Sequence, residues 1–248
     1  MLTAGRGAYP ESIPLFEQHL DRYDEYVDDR LDLLLRIREE NPVTGSGATR
    51  KPLTEAGIWP RPIQSELSIW IAVGGTPASV IQAGVLGTPL YVAILGEPQH
   101  FADLADLYRS AAAKAGRTPE RIGVTSHSYA ERTSQGARDI FFPHYSSSIG
   151  QNMPRAGRLD RDAFDAWASP HGALFAGSPA EIVDTILWEH ELMGHPRFLA
   201  QVGLGGLSQT ATLRSIEVLA TEVLPAVREA IGSGPAPGAE AGDARARS

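Results

Sequence analysis

Apolar positions fall into two alternating rhythms along the chain. Short β-branched or apolar runs at 2–5, 67–73, 90–95, 122–129 and 198–202 read as strands. Between them lie stretches of helical period. In residues 21–40, Tyr23, Val27, Leu31, Leu34 and Leu35 fall near one face, with acidic residues early and arginines late, as the helix dipole favours. Residues 101–115 form a second helical stretch that stops at Gly116, a natural residue for a left-handed cap. Ser178-Pro179-Ala180-Glu181 supplies a capping serine, a proline for the first turn and a glutamate three residues after the cap. It opens a helix over 179–193. A last helix over 211–231 aligns Ile216, Ala220, Val223 and Val227, and Pro225 within it predicts a kink.

Strand–helix alternation predicts the α/β class, a parallel sheet covered by helices. Two architectures satisfy it. A doubly wound sheet needs about five strands, the number visible here, whereas a (β/α)₈ barrel needs eight and usually about 250 residues. Residues 141–169 fit neither rhythm; they are polar, with three consecutive serines and several arginines, and read as a lid or a partly helical insertion. Residues 233–248 are Gly, Ala, Pro and small charged residues, too poor in apolar surface to offset ordering entropy, and read as a disordered tail on a domain spanning 1–232.

Composition narrows the partners. The chain has 248 residues, of which 42% are hydrophobic, enough for one sizeable core. A net charge of −8 with no basic stripe argues against nucleic acid. The absence of cysteine removes disulfides, thiolate metal sites and cysteine nucleophiles. No apolar run reaches the roughly 20 residues needed to span a bilayer, so a soluble, cytoplasmic protein is expected.

The sharpest local feature is Ile69-Trp70-Ile71-Ala72-Val73-Gly74-Gly75-Thr76-Pro77-Ala78-Ser79, which reads as strand, glycine turn and helix start. Gly74 and Gly75 permit close approach of a ligand to the backbone, and free N–H groups with the hydroxyls of Thr76 and Ser79 suit a phosphate. The plainer reading makes Thr76 a helix cap alone. Gly203-Leu204-Gly205-Gly206 follows the last strand and is equally readable as a phosphate loop or a tight turn. Arg6, between Gly5 and Gly7 at a strand end, is a candidate clamp for a phosphate, with a lone surface arginine as the commoner role. His127, near the end of its strand, is a candidate hydrogen-bond donor or acid, with a structural histidine as the commoner role. His190 and His195 lack the H-E-x-x-H spacing, and no metal site is expected.

The order of these motifs resembles the luciferase-like, flavin-dependent monooxygenases. The opening Gly5-Arg6-Gly7-Ala8-Tyr9-Pro10-Glu11-Ser12 followed by Phe16, then Asp32-Leu33-Leu34, Pro60-Arg61-Pro62-Ile63-Gln64, the strand-to-helix element at 69–77, Tyr108-Arg109, His127, Gly177-Ser178-Pro179 and Ser215-Ile216-Glu217 with Val223-Leu224-Pro225 are similar to that family's sequence of elements. Together they run from Leu2 to Arg228.

The resemblance implies a (β/α)₈ TIM barrel of the bacterial-luciferase type that binds reduced FMN at the C-terminal ends of its strands. It implies that Arg6 contacts the flavin phosphate, with Gly7 and Ala8 beside the cofactor and Gly74, Gly75, Thr76 and Ser79 holding the phosphate from the helix start. His127 would be the catalytic candidate. A separate flavin reductase would supply electrons, a small organic molecule would be the substrate, and a homo-oligomer is expected. A deazaflavin is an alternative cofactor. Relatives carry three further strand–helix units before the Arg-Gly motif, so the resemblance also implies an incomplete barrel of about five strands beginning near the fourth. Such a chain is expected not to catalyse alone, and a non-catalytic barrel subunit is the competing reading.

Overall fold

Strands and helices alternate in the computed structural model as the sequence suggests; it describes residues 1–7, 13–16, 18–152 and 159–232. The expected tail, 233–248, lies outside the described residues. Two compact units are resolved, one of Met1–Ala93 with Phe101–Val124, the other of Ile94–His100 with the chain from Thr125 on.

The first unit opens with β1 (Leu2–Gly5) and α1 (Tyr23–Glu39), then a small antiparallel pair, β2 (Val43–Gly45) and β3 (Leu53–Ala56). β4 (Ile69–Val73), α2 (Pro77–Leu86) and β5 (Leu90–Ala93) follow. β1 runs parallel to β4 in the register Leu2↔Ile69 to Gly5↔Ala72, and β4 runs parallel to β5 from Ile71↔Leu90 to Val73↔Val92. The continuous apolar run of β4 reflects burial on both faces: Ile69 and Trp70 are each 1% exposed. Among the described residues β1 pairs only with β4. Gly84 lets α2 approach α3 (Pro98–Lys114) closely, since a Cβ there would lie 2.8 Å from the Tyr108 carbonyl oxygen. Tyr108 then ties the unit together, donating to the Thr88 carbonyl at 2.8 Å and accepting from the Glu120 N–H at 3.0 Å.

β6 (Ile122–Ala130) starts in the first unit and continues in the second. There it is followed by α4 (Ser134–Asn152), α5 (Arg161–Trp167), β7 (Phe175–Gly177), α6 (Pro179–Met193), β8 (Arg197–Gln201), α7 (Gln209–Val218) and α8 (Leu224–Ile231). β6 and β7 are parallel from Ser128↔Phe175 to Ala130↔Gly177, and β8 also pairs with β6. The α/β class with a mostly parallel sheet is therefore what the chain adopts.

Four local readings change. The β2–β3 pair was not expected; its strands are too short for a period-two pattern and are held by polar groups, the Glu55 N–H to Thr44 Oγ1 at 2.9 Å and Arg36 to the Thr44 carbonyl at 2.7 Å. β7, three residues long, was not among the expected strands. Within 141–169 the described residues 141–152 and 161–167 are helical, as a partly helical insertion would be, and they contribute to the core, which a lid would not. Ala137, Phe141, Tyr145 and Ile149 are buried at four-residue spacing along α4, and Phe164 of α5 packs against them. The polar opposite face of α4 and its internal Pro143 hid that stripe. The last helix is divided by a π-helical turn, Leu219–Val223, directly before the proline-containing start of α8. The extra residue rotates the faces. Val218 and Val223 are buried five apart, while Ile216 points outward, 43% exposed. Its neighbour Ser215 faces the sheet instead and accepts the Ala130 N–H at 2.8 Å.

Candidate functional site

β1 and β4 run side by side and end together, so the residues following them share one end of the first unit. After β1 the chain turns at Gly7, which has a φ of +81° that favours glycine. Arg6 in that turn forms an ion pair with the exposed carboxylate of Asp24, and its guanidinium lies over the Tyr23 ring at 4.9 Å. Ala8 lies outside the described residues.

After β4 the chain turns at Gly74 and Gly75. A Cβ on either would meet nothing within 4 Å, and Gly75 has a φ of +118°. Thr76 is the N-cap of α2 by backbone, its carbonyl accepting the Val80 N–H at 3.3 Å, but its hydroxyl makes no cap bond. Pro77 carries no N–H, so the free donors of this helix start belong to the residues that follow. One turn in, Ser79 is 3% exposed and its Oγ has no partner. Both Arg6 and Ser79 line a cavity of about 310 Å³, whose other walls include Ala72, Ile71 and Gln82 and the apolar side of α1 at Val27 and Leu31. Arg6 and Ser79 are thus brought together. Gly74, Gly75 and Thr76 stand at the adjoining helix entrance and do not line the cavity.

His127 lies on the part of β6 that belongs to the second unit. It is half-buried, and burial depresses its pKa below the usual 6.5. Its Nδ1 is 2.8 Å from Tyr145 Oη, and burial pushes the Tyr145 phenol well above its ordinary range. Tyr145, and the Tyr23 and Asp24 that hold Arg6, are contacts the sequence reading missed. Tyr145 was within reach, because its four-residue spacing from Phe141 and Ile149 signals a helix face.

The other glycine loop is a packed turn. A Cβ on Gly205 would fall 2.1 Å from the His144 carbonyl oxygen, and His144 Nδ1 donates to the Gly205 carbonyl at 3.1 Å. At the end of α6, His190 Nδ1 donates to the His195 carbonyl at 2.7 Å. Beside it Glu189 is fully buried with neither carboxylate oxygen partnered; desolvation pushes its pKa up to about 8. Among the described residues no group of three or more His, Asp or Glu side chains has metal-binding geometry, and no helix is long and apolar enough to cross a membrane.

The sequence profile described as luciferase-like monooxygenase matches residues 1–200. The chain belongs to the luciferase-like monooxygenase family. No curated protein matches it. Solved structures share the fold of this luciferase-like chain at low identity. The monooxygenase RslO1 from Streptomyces bottropensis superposes with a TM-score of 0.73 at 23% identity, covering 90% of this chain and 67% of its own. The oxygenating constituent of 3,6-diketocamphane monooxygenase from Pseudomonas putida, a type II Baeyer–Villiger monooxygenase in complex with FMN, gives 0.65 at 20%, covering 92% and 71%. An F420-dependent secondary alcohol dehydrogenase in complex with an F420-acetone adduct gives 0.69 at 16%, covering 91% and 69%.

Proposed function

We propose that this chain binds the phosphate of a flavin between Arg6 and the start of α2, as part of a (β/α)₈ barrel oxidoreductase that uses reduced FMN to oxygenate a small organic molecule. The observation that carries the reading is the Ser79 hydroxyl, 3% exposed and without a partner beside the cavity that Arg6 also lines. An unpartnered buried hydroxyl costs free energy, and a phosphate oxygen would satisfy it. The residues fit that group. The space over Gly74 and Gly75 is open, the Thr76 hydroxyl makes no cap bond to the helix, and α2 presents its positive end.

Arg6 would swing from Asp24 to the phosphate while Tyr23 keeps its guanidinium plane oriented. Gly75, already at a φ open to glycine, would let the phosphate reach the backbone. The bound flavin would supply the redox chemistry, with electrons from a separate reductase. His127 would present a hydrogen-bonding group to the substrate. A phosphate-bearing deazaflavin would use the same anchor, and the solved neighbours include one protein in complex with FMN and one in complex with an F420-acetone adduct.

Titration of the purified chain with FMN and with riboflavin, followed by flavin fluorescence, tests the anchor. FMN is expected to bind more tightly, and Arg6→Ala to weaken FMN about tenfold, about 1.4 kcal/mol, while leaving riboflavin unchanged. Equal binding of the two flavins, or none of either, rejects the reading. Oxygen uptake during turnover would favour FMN over a deazaflavin.

A further inference from the structure

We propose that Tyr145 is a positioning residue for His127, holding the imidazole in the tautomer with its proton on Nε2, so that His127 offers a hydrogen-bond donor to an oxygen acceptor such as a substrate carbonyl and does not serve as a base. The proposal goes beyond the flavin reading and is independent of it, since it concerns one side-chain pair within the second unit.

Tyr145 has little freedom. It is 3% exposed and packed against Phe141 and Phe164, with ring centroids at 5.2 and 6.0 Å. The His127 ring meets it edge-on, 5.4 Å between centroids at 68°. Its hydroxyl has His127 Nδ1, at 2.8 Å, as its hydrogen-bond partner. Burial opposes ionisation of the phenol, so it keeps its proton. A phenol that keeps its proton and faces one acceptor donates to it. Nδ1 then carries the lone pair, and the single proton of the neutral ring sits on Nε2.

Electrostatics do not oppose this assignment. Burial is the only cause acting on either ring, with no charged group contributing. On α4 the nearby His144 is turned to the Gly205 carbonyl, and on α5 Arg161 is engaged by Asp139 and Asp165. Burial also keeps His127 uncharged near neutrality. Among the described residues Nε2 has no partner. Passing its proton on would require Nδ1 to take the phenol proton and leave a tyrosinate in an aromatic core. The same burial that raises the phenol opposes that step, so the group acts as a donor.

The test is nitrogen-15 spectroscopy of the full chain with labelled histidine, His127 being assigned by the signal lost in His127→Gln. The wild type is expected to show a protonated Nε2 and an unprotonated Nδ1 at pH 7. In Tyr145→Phe the ring loses the donor that favours its neutral form. Its tautomers are expected to mix, and its titration midpoint to rise by about half to one pH unit. A wild-type proton on Nδ1, or a Tyr145→Phe spectrum with the same tautomer and midpoint, overturns the proposal. If Tyr145→Phe fails to fold, the wild-type tautomer decides alone. No flavin enters the measurement, so failure of the flavin reading leaves this result standing, and the converse also holds.

Discussion

Two glycine-rich turns follow strands in this chain, one in each unit, and in the sequence they look alike. At Gly74-Gly75 an added Cβ meets open space; at Gly205 it would strike the His144 backbone. The unpartnered polar groups near them differ in the same way. Ser79 lines a cavity, so a ligand can reach its hydroxyl. Glu189 is fully buried in α6 among helix contacts and responds by holding its proton. Glycines and unpartnered polar atoms therefore point to a ligand only where space adjoins them. The same signals in a packed setting record close backbone approach and desolvation.

The contrast is most easily broken at the glycines. Gly205→Ala combines a φ of +70° with a clash against a carbonyl, and is expected to destabilise the chain by about 3–5 kcal/mol in denaturant unfolding. Gly74→Ala, with nothing within 4 Å and no positive φ, is expected to cost less than about 0.5 kcal/mol. Comparable losses at both positions would erase the distinction between packed turn and open cradle.

Glu189 sharpens it next. Its folded pKa, about 8, lies above the unfolded value near 4.5, so between these limits the folded state keeps a proton that the unfolded state releases. Its contribution to stability should fall as pH rises through that window, by up to about 5 kcal/mol in all at about 1.4 kcal/mol per unit. His195 acts on the other side. Burial lowers it to about 4, so its contribution is full above the unfolded value near 6.5 and is lost as pH falls toward 4. Glu189→Gln should abolish the fall with rising pH and leave the acid-side loss. If wild-type stability were flat from pH 6.5 to pH 8, where the His195 contribution is already full, Glu189 would have water or a partner, and the second unit would also have a polar site with room beside it.

These differences explain what the sequence could and could not convey. The α/β alternation, the Ser178 cap and the helix Pro179–Met193 were legible because each is set by neighbouring residues. The order of weak motifs was enough to place the family, and the Arg6–Ser79 meeting was reached through that resemblance. The packing against Gly205 comes from His144, 61 positions away, and no local pattern encodes it. Asp24 as the counter-ion of Arg6 depends on how α1 folds back beside β1. The face of the last helix was misread at Ile216 because a π turn shifts the period without a distinctive sequence signal.

Ser79 offers a smaller test with opposite signs for stability and binding. Ser79→Ala removes a hydroxyl with no partner, so stability is expected to be unchanged or to rise by up to about 1 kcal/mol. FMN affinity should fall about threefold to tenfold as one phosphate contact disappears. A marked loss of stability would mean that the hydroxyl is bonded within the chain and is unavailable to a ligand.

The smallest effect is expected at Thr76. A threonine cap replaced by alanine ordinarily costs about 1 kcal/mol, because a helix-start N–H loses its acceptor. Here the hydroxyl makes no such bond, and the backbone carbonyl that accepts the Val80 N–H remains after substitution. Thr76→Ala should therefore change stability by only a few tenths of a kcal/mol, with any larger effect appearing in FMN affinity. A full cap-sized loss without ligand would show the hydroxyl working for the helix, and the start of α2 would then resemble the packed turn more than the open one.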